Sequence, residues 1–149
     1  MPLDPQAEAL LKSMEESDAP PFNACTPEEA RIMYDQGSEL VRGEPPVPHS
    51  IETLEIPGKD GLIKSWVYKP DEGKDLPVLV FFHGGGFVIG SLKSHDIVCR
   101  SLCVEAHCIV VAVDYRLAPE NKYPAALDDA WAATQWVASN ANSLGGDPY

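Results

Sequence analysis

Positive charge is scarce in this sequence. Eleven Lys and Arg residues stand against 23 Asp and Glu, leaving a formal net charge of −12. Such a surface repels phosphate, which argues against nucleic acid or an anionic membrane as the main partner. The acidic excess reads as a solvated face rather than a binding device. Long apolar runs are missing as well. None approaches the ~20 residues that a membrane-spanning helix needs. The start, MPLDPQAEAL, has neither the basic stretch nor the apolar stretch of a secretory signal, so the expected compartment is the cytoplasm. Cysteine is sparse too. Cys25, Cys99, Cys103 and Cys108 form no C-x-x-C pair, which makes zinc-ribbon and dithiol redox readings poor. Buried, inert thiols are expected instead.

What is present is enough for one domain of ordinary globular composition, with 44% hydrophobic and 23% charged residues. Asp4 and Pro5 signal a first helix with Ala7, Leu10, Leu11 and Met14 on one face. Thr26, Pro27 and Glu29 form a capping box that opens a second helix, whose apolar stripe is Ala30, Met33, Tyr34, Gly37 and Val41. The proline-rich stretch RGEPPVPHS is an extended linker. Strands are expected at Ile51–Ile56 and Leu62–Tyr68, joined as a hairpin across PGKDG.

LPVLVFF, Leu76–Phe82, is a continuous apolar run, as expected of a strand covered on both faces. CIVVAVD, Cys108–Asp114, reads the same way. Helices are expected from about Ser94 to Ala106 and from Pro124 to about Asn140. The inward face of the second should carry Leu127, Trp131, Thr134 and Ala138, and LGG should cap its end. Apolar strands alternating with helices specify an α/β fold, mostly parallel after the opening hairpin. The organisation expected is a helical segment over 1–43 and an α/β core over 44–149.

The chemistry concentrates in FFHGGGFVIGS, Phe81–Ser91. A simple turn needs one or two glycines, so three in succession at the end of a buried strand is an excess. A dinucleotide site would place its pyrophosphate on the amino end of the next helix. Here FVIGSLKS separates the glycines from that helix, and position 89, where G-x-G-x-x-G needs glycine, is Ile89. No G-K-[ST] follows, which excludes a Walker-type phosphate loop. An oxyanion hole fits better. Ester hydrolysis passes through a tetrahedral intermediate whose charged oxygen is stabilised by main-chain N–H donors, each worth roughly 2.7–4 kcal/mol. Side chains would obstruct that approach, and an HGGG-type loop after the third strand supplies such donors in α/β-hydrolases.

HGGGFVIGS, followed by VVAVDYRLAPENKYPAALDDAWAATQWV, closely resembles the hormone-sensitive-lipase-like group of α/β-hydrolases, which contains many bacterial carboxylesterases. The resemblance extends over essentially the whole chain. It implies a serine carboxylesterase acting on short- to medium-chain acyl esters through an acyl-enzyme, with no metal or cofactor. It implies that Gly85 and Gly86 donate oxyanion N–H groups, while His83 and Gly84 shape the loop. Phe87 and Val88 would line the substrate pocket, and Arg116 and Glu120 would pair to shape the loop after the fourth strand. The two N-terminal helices would belong to a cap.

The group's Ser-His-Asp triad is not found in these 149 residues. There is no G-x-S-x-G, and His49, His83, His95 and His107 do not stand where the triad histidine would. The sequence therefore reads as the amino-terminal half of an esterase, inactive by itself. The strand at 76–82 would then have an open edge. That edge could be filled by a complementary carboxyl-terminal half or by a second copy. The alternative is a receptor-like relative that keeps the glycine loop but binds a small molecule without hydrolysing it.

Overall fold

The computed structural model describes residues 2–17, 19–41 and 43–147. Pro148 and Tyr149, the end of GGDPY, and the side chain of Val41 lie outside the described part. Four helices, α1 (Pro5–Glu15), α2 (Pro27–Val41), α3 (Asp96–Glu105) and α4 (Ala125–Leu144), surround strands β1 (Ser50–Gly58), β2 (Gly61–Lys69), β3 (Val78–Phe82) and β4 (Ile109–Val113). The sheet order is β1-β2-β4-β3. β1, β2 and β4 pair antiparallel in sequence, and β3 lies parallel to β4 with Val78 level with Ile109 and Phe82 level with Val113. This is the expected α/β arrangement.

The helix starts follow from local chemistry. Asp4 accepts the Gln6 N–H at 2.8 Å at the head of α1. At α2, the Glu29 carboxylate takes the Thr26 N–H at 2.8 Å while the Glu29 N–H reaches the Thr26 hydroxyl at 3.3 Å, a reciprocal capping box. Gly145 ends α4 in the left-handed region at φ 91°. The following backbone then turns onto the sheet. Leu76 and Gly146 form an isolated parallel bridge, with the Asp147 N–H donating to the Leu76 carbonyl at 2.8 Å.

Two apolar layers cover the sheet. On one face, Ile63, Val67, Ile109, Val111 and Val113 pack with Ala133 and Val137 of α4. On the other, Tyr68, Val110 and Ala112 pack with Cys99 and Cys103 of α3. The alternation along β4 is the period-2 consequence of strand geometry. Cys99, Cys103 and Cys108 are buried free thiols, pushed up to about 12 and about 11 for the first two and upward for Cys108, in each case chiefly by burial. Cys25 is free and half-buried.

Three expectations change. α4 turns Asp129, Ala133, Val137 and Ala141 inward, whereas Leu127 and Trp131 are 58% and 64% exposed and Thr134 and Ala138 also face outward. Small residues let the helix axis approach the sheet closely, and Asp129 is drawn inward by a cation described below. β3 is only half-buried, because among the described residues only the Leu76–Gly146 bridge adjoins its outer edge. In the N-terminal helices, Ala30 is buried and Met33 and Tyr34 half-buried as expected, but Gly37 is exposed. Leu10, Leu11 and Met14 of α1 are also exposed.

Candidate active site

β3 and β4 end side by side, and the chain leaves each strand into a loop. Such carboxyl ends of parallel strands are where open α/β sheets place their ligands. The loop after β3 begins with His83, which is 5% exposed. Its Nδ1 lies 2.8 Å from the Gly84 carbonyl. A carbonyl can only accept, so Nδ1 carries the proton in that contact. Nε2 is then a buried acceptor without a partner among the described residues. Tyr115, the second residue after β4, stacks on the His83 ring at 4.5 Å and donates its hydroxyl proton to the His83 carbonyl at 2.6 Å. The phenol is buried, which raises its pKa and keeps it a donor.

The glycines beyond His83 are not equivalent. Gly85 has φ 129°, and a Cβ there would overlap the Ile89 carbonyl oxygen. Gly90 has φ 93°, and a Cβ there would strike the Gly84 carbonyl and the His83 ring. These two are required by the loop's own packing. Gly84 and Gly86 face open space, where a Cβ would meet nothing within 4 Å. The turn closes through Val88 and Ile89, whose N–H groups both donate to the Gly85 carbonyl, at 3.1 and 3.0 Å. The N–H groups of Gly84, Gly85 and Gly86 have no acceptor among the described residues.

A cleft of about 450 Å³ opens beside this loop, lined by Phe82, His83, Phe87, Tyr115, Tyr123, Leu127 and Ala130 among others. Phe87 is one of the residues lining this cleft. Val88 is not among the lining residues, and its carbonyl instead accepts from the Arg31 guanidinium at 2.7 Å. A larger cleft of about 640 Å³ lies at the opposite end of the sheet, between His49, Lys69, Asp71 and Asn142. It is a polar surface trough remote from the glycine loop, whereas the smaller cleft is lined mainly by apolar side chains.

The expected pair Arg116–Glu120 does not form. Arg116 reaches the 2%-exposed Asp129 at 2.7 Å and Asp60 at 2.8 Å. Glu120 pairs with Arg31 of α2 at 2.7 Å, and hydrogen bonding to that guanidinium lowers its carboxyl to about 2. The reason is spatial. Asp129 rises from the second turn of α4 directly under Arg116, where it also accepts the Arg116 N–H at 3.0 Å. The dinucleotide reading fails on similar grounds. The amino end of α3 already holds an anion of its own, the buried Asp96, which accepts from Tyr68 at 3.0 Å and from Arg100 at 2.7 Å.

Sequence reasoning missed four residues here. Tyr115 and Asp129 stand within the stretch VVAVDYRLAPENKYPAALDDAWAATQWV that carries the resemblance, so a signal was available. Arg31 and Asp35 lie on α2 in an ordinary charged context, and nothing local marks them. No serine is set up as a nucleophile among the described residues. Ser94 is 3.1 Å from His95 Nδ1, but its oxygen is already engaged by the Ser91 N–H at 2.8 Å and lies 3.1 Å from the Ser91 carbonyl.

The profile of the α/β-hydrolase fold family matches residues 79–149. The esterase LipI of Mycobacterium tuberculosis is 45% identical over 149 residues, covering 93% of this chain and 43% of that protein. A hyperthermophilic esterase from the archaeon Pyrobaculum calidifontis superposes with a TM-score of 0.90 at 41% identity, over 99% of this chain and 47% of that one. The gibberellin receptor GID1A of Arabidopsis thaliana is 49% identical over 75 residues, covering 49% of this chain and 22% of the receptor. The chain is an α/β-hydrolase, and within that fold it belongs to the hormone-sensitive-lipase-like group of carboxylesterases. It spans about half the length of the curated relatives it matches.

Proposed function

We propose that this chain carries the oxyanion half of a carboxylic ester hydrolase. The observation that carries the reading is the set of glycine N–H groups without an acceptor among the described residues, in the loop between His83 and Phe87, two residues that line the 450 Å³ apolar cleft. In this reading Gly85 and Gly86 donate to the oxygen of a tetrahedral intermediate, a geometry worth roughly 2.7–4 kcal/mol per donor. His83 and Gly84 hold the loop in that shape. Phe87, Phe82 and Leu127 receive the apolar part of a short- to medium-chain acyl ester. Residues 1–43 act as cap, consistent with the contact of α2 with the loop. The attacking serine, its histidine and its acid are supplied by backbone outside residues 1–149, through an acyl-enzyme.

The free edge of β3 is part of the same proposal. Gly146 already pairs parallel with Leu76, so a complementary carboxyl-terminal half can continue along β3, while a second copy would have to displace that start. The decisive experiment is hydrolysis of a short-chain p-nitrophenyl ester by this chain alone, by a complementary half alone, and by the two mixed. Activity only in the mixture supports the reading, and burst-phase acylation of the isolated chain sinks it. The likeness to GID1A favours a second reading, a receptor that binds without hydrolysis. Tight binding of a small molecule by the mixture, with no turnover, would select it.

A further inference from the structure

Arg31 is the only side chain of α2 seen to grip two loops at once among the described residues. Its Nε donates to the Val88 carbonyl at 2.7 Å, and Nη2 donates to the Ala118 carbonyl at 2.8 Å. The fork also spans Glu120, with contacts of 3.0 and 2.7 Å. One turn further along the helix, Asp35 accepts the Ser91 hydroxyl at 2.8 Å. Between these two ties lies a backbone that would not hold its shape unaided. Gly86 and Phe87 are consecutive left-handed residues, at φ 59° and 63°. For phenylalanine that conformation is unfavourable and persists only when the surroundings enforce it. Its side chain cannot do so, because it is 65% exposed. The enforcing contacts are polar: the Ala118 N–H on the Phe87 carbonyl at 2.8 Å and Arg31 on the next carbonyl, that of Val88.

We propose that Arg31 is a positioning residue, which fixes the direction of the Gly85 and Gly86 N–H groups by holding the Val88 carbonyl, and so couples the N-terminal helix to the glycine loop. The bland reading is that Arg31 merely pins α2 to the core through Glu120. The two differ in what moves. A pin that is lost frees α2, whereas a clamp that is lost frees the turn at 85–89. The catalytic consequence rests on the esterase reading above, but the clamp itself does not.

The test is amide hydrogen exchange on the 149-residue chain, read residue by residue. In Arg31→Met, the Val88 and Ile89 amides should exchange at least tenfold faster while those of β4 stay unchanged. Glu120→Gln, which removes the ion pair but leaves both carbonyls to the fork, should change them less than threefold. Unchanged Val88 and Ile89 exchange in Arg31→Met, or equal effects of the two variants, overturns the clamp. Should Arg31→Met not fold, Arg31→Lys keeps the charge facing Glu120 but not the fork, and the same tenfold and unchanged limits apply to it.

A second readout uses the chain mixed with its complementary half. There, kcat should fall 10- to 100-fold in Arg31→Met with KM within twofold, the pattern of a group acting only on the transition state. Faster loop exchange in a mixture that hydrolyses no ester upholds the clamp and removes the esterase reading. Unchanged exchange with undiminished kcat removes the clamp and leaves that reading intact.

Discussion

The two parallel strands invite comparison together with the loops they feed. β4 is buried throughout, and its loop is fastened by side chains. Every β4 residue is buried, and Tyr115, Arg116 and Glu120 each close on a partner. β3 and its loop are open at both levels. The strand is half-buried, and the loop presents N–H groups with no acceptor among the described residues. Gly84 and Gly86 are exposed and Gly85 half-buried, so these donors are open to water or to a ligand. The difference teaches a structural contrast: the β4 unit is fastened from several sides, and the β3 unit is left open.

Four experiments would break or sharpen that comparison. The largest effect is expected at the β4 loop. Asp129→Ala strands Arg116 over a buried site and should cost about 3–5 kcal/mol in urea denaturation, as breaking a buried pair does; a loss under 1 kcal/mol would mean that Asp60 suffices. Next come the strands themselves. Ile109→Ala, at a position 1% exposed, should cost about 2–5 kcal/mol, and Leu79→Ala in half-buried β3 clearly less. Equal costs would erase the contrast.

Within the glycine loop, Gly85→Ala should cost about 1–3 kcal/mol from its φ and the Ile89 contact. Gly84→Ala, facing open space, should stay within about 0.5 kcal/mol. The smallest effect is a pH dependence on the β3 side. His95 packs against Phe81, Tyr34 and His83, and burial, followed by the neighbouring His83 ring, lowers its pKa from 6.5. The unfolded chain then binds more protons than the folded one below that value. Stability present above pH 6.5 should therefore fall as the pH drops through the lowered value, and His95→Asn should flatten that limb.

The sequence made the frame legible because its signals are local. Capping residues set α1 and α2, β-rich runs set the strands, and three glycines marked the bare loop after β3. The site's polar fastening was harder to read, because it depends on which charges the fold brings together. Arg116 has Glu120 four residues away in sequence, yet it takes Asp129 and Asp60, and Glu120 goes to Arg31 on a helix 89 positions distant in the chain. The face of α4 was misjudged for a related reason. Size and apolarity favoured Leu127 and Trp131 as the inward pair, but a carboxylate bound by an arginine can be buried where a free one cannot.

The Leu76–Gly146 bridge has an implication for any backbone that follows it. A parallel strand keeping that register would advance about 3.3 Å per residue and draw level with Phe82 after six more. The strand edge thus acts as a ruler, delivering whatever side chain comes next to the mouth of the bare-amide turn by counting residues rather than by search.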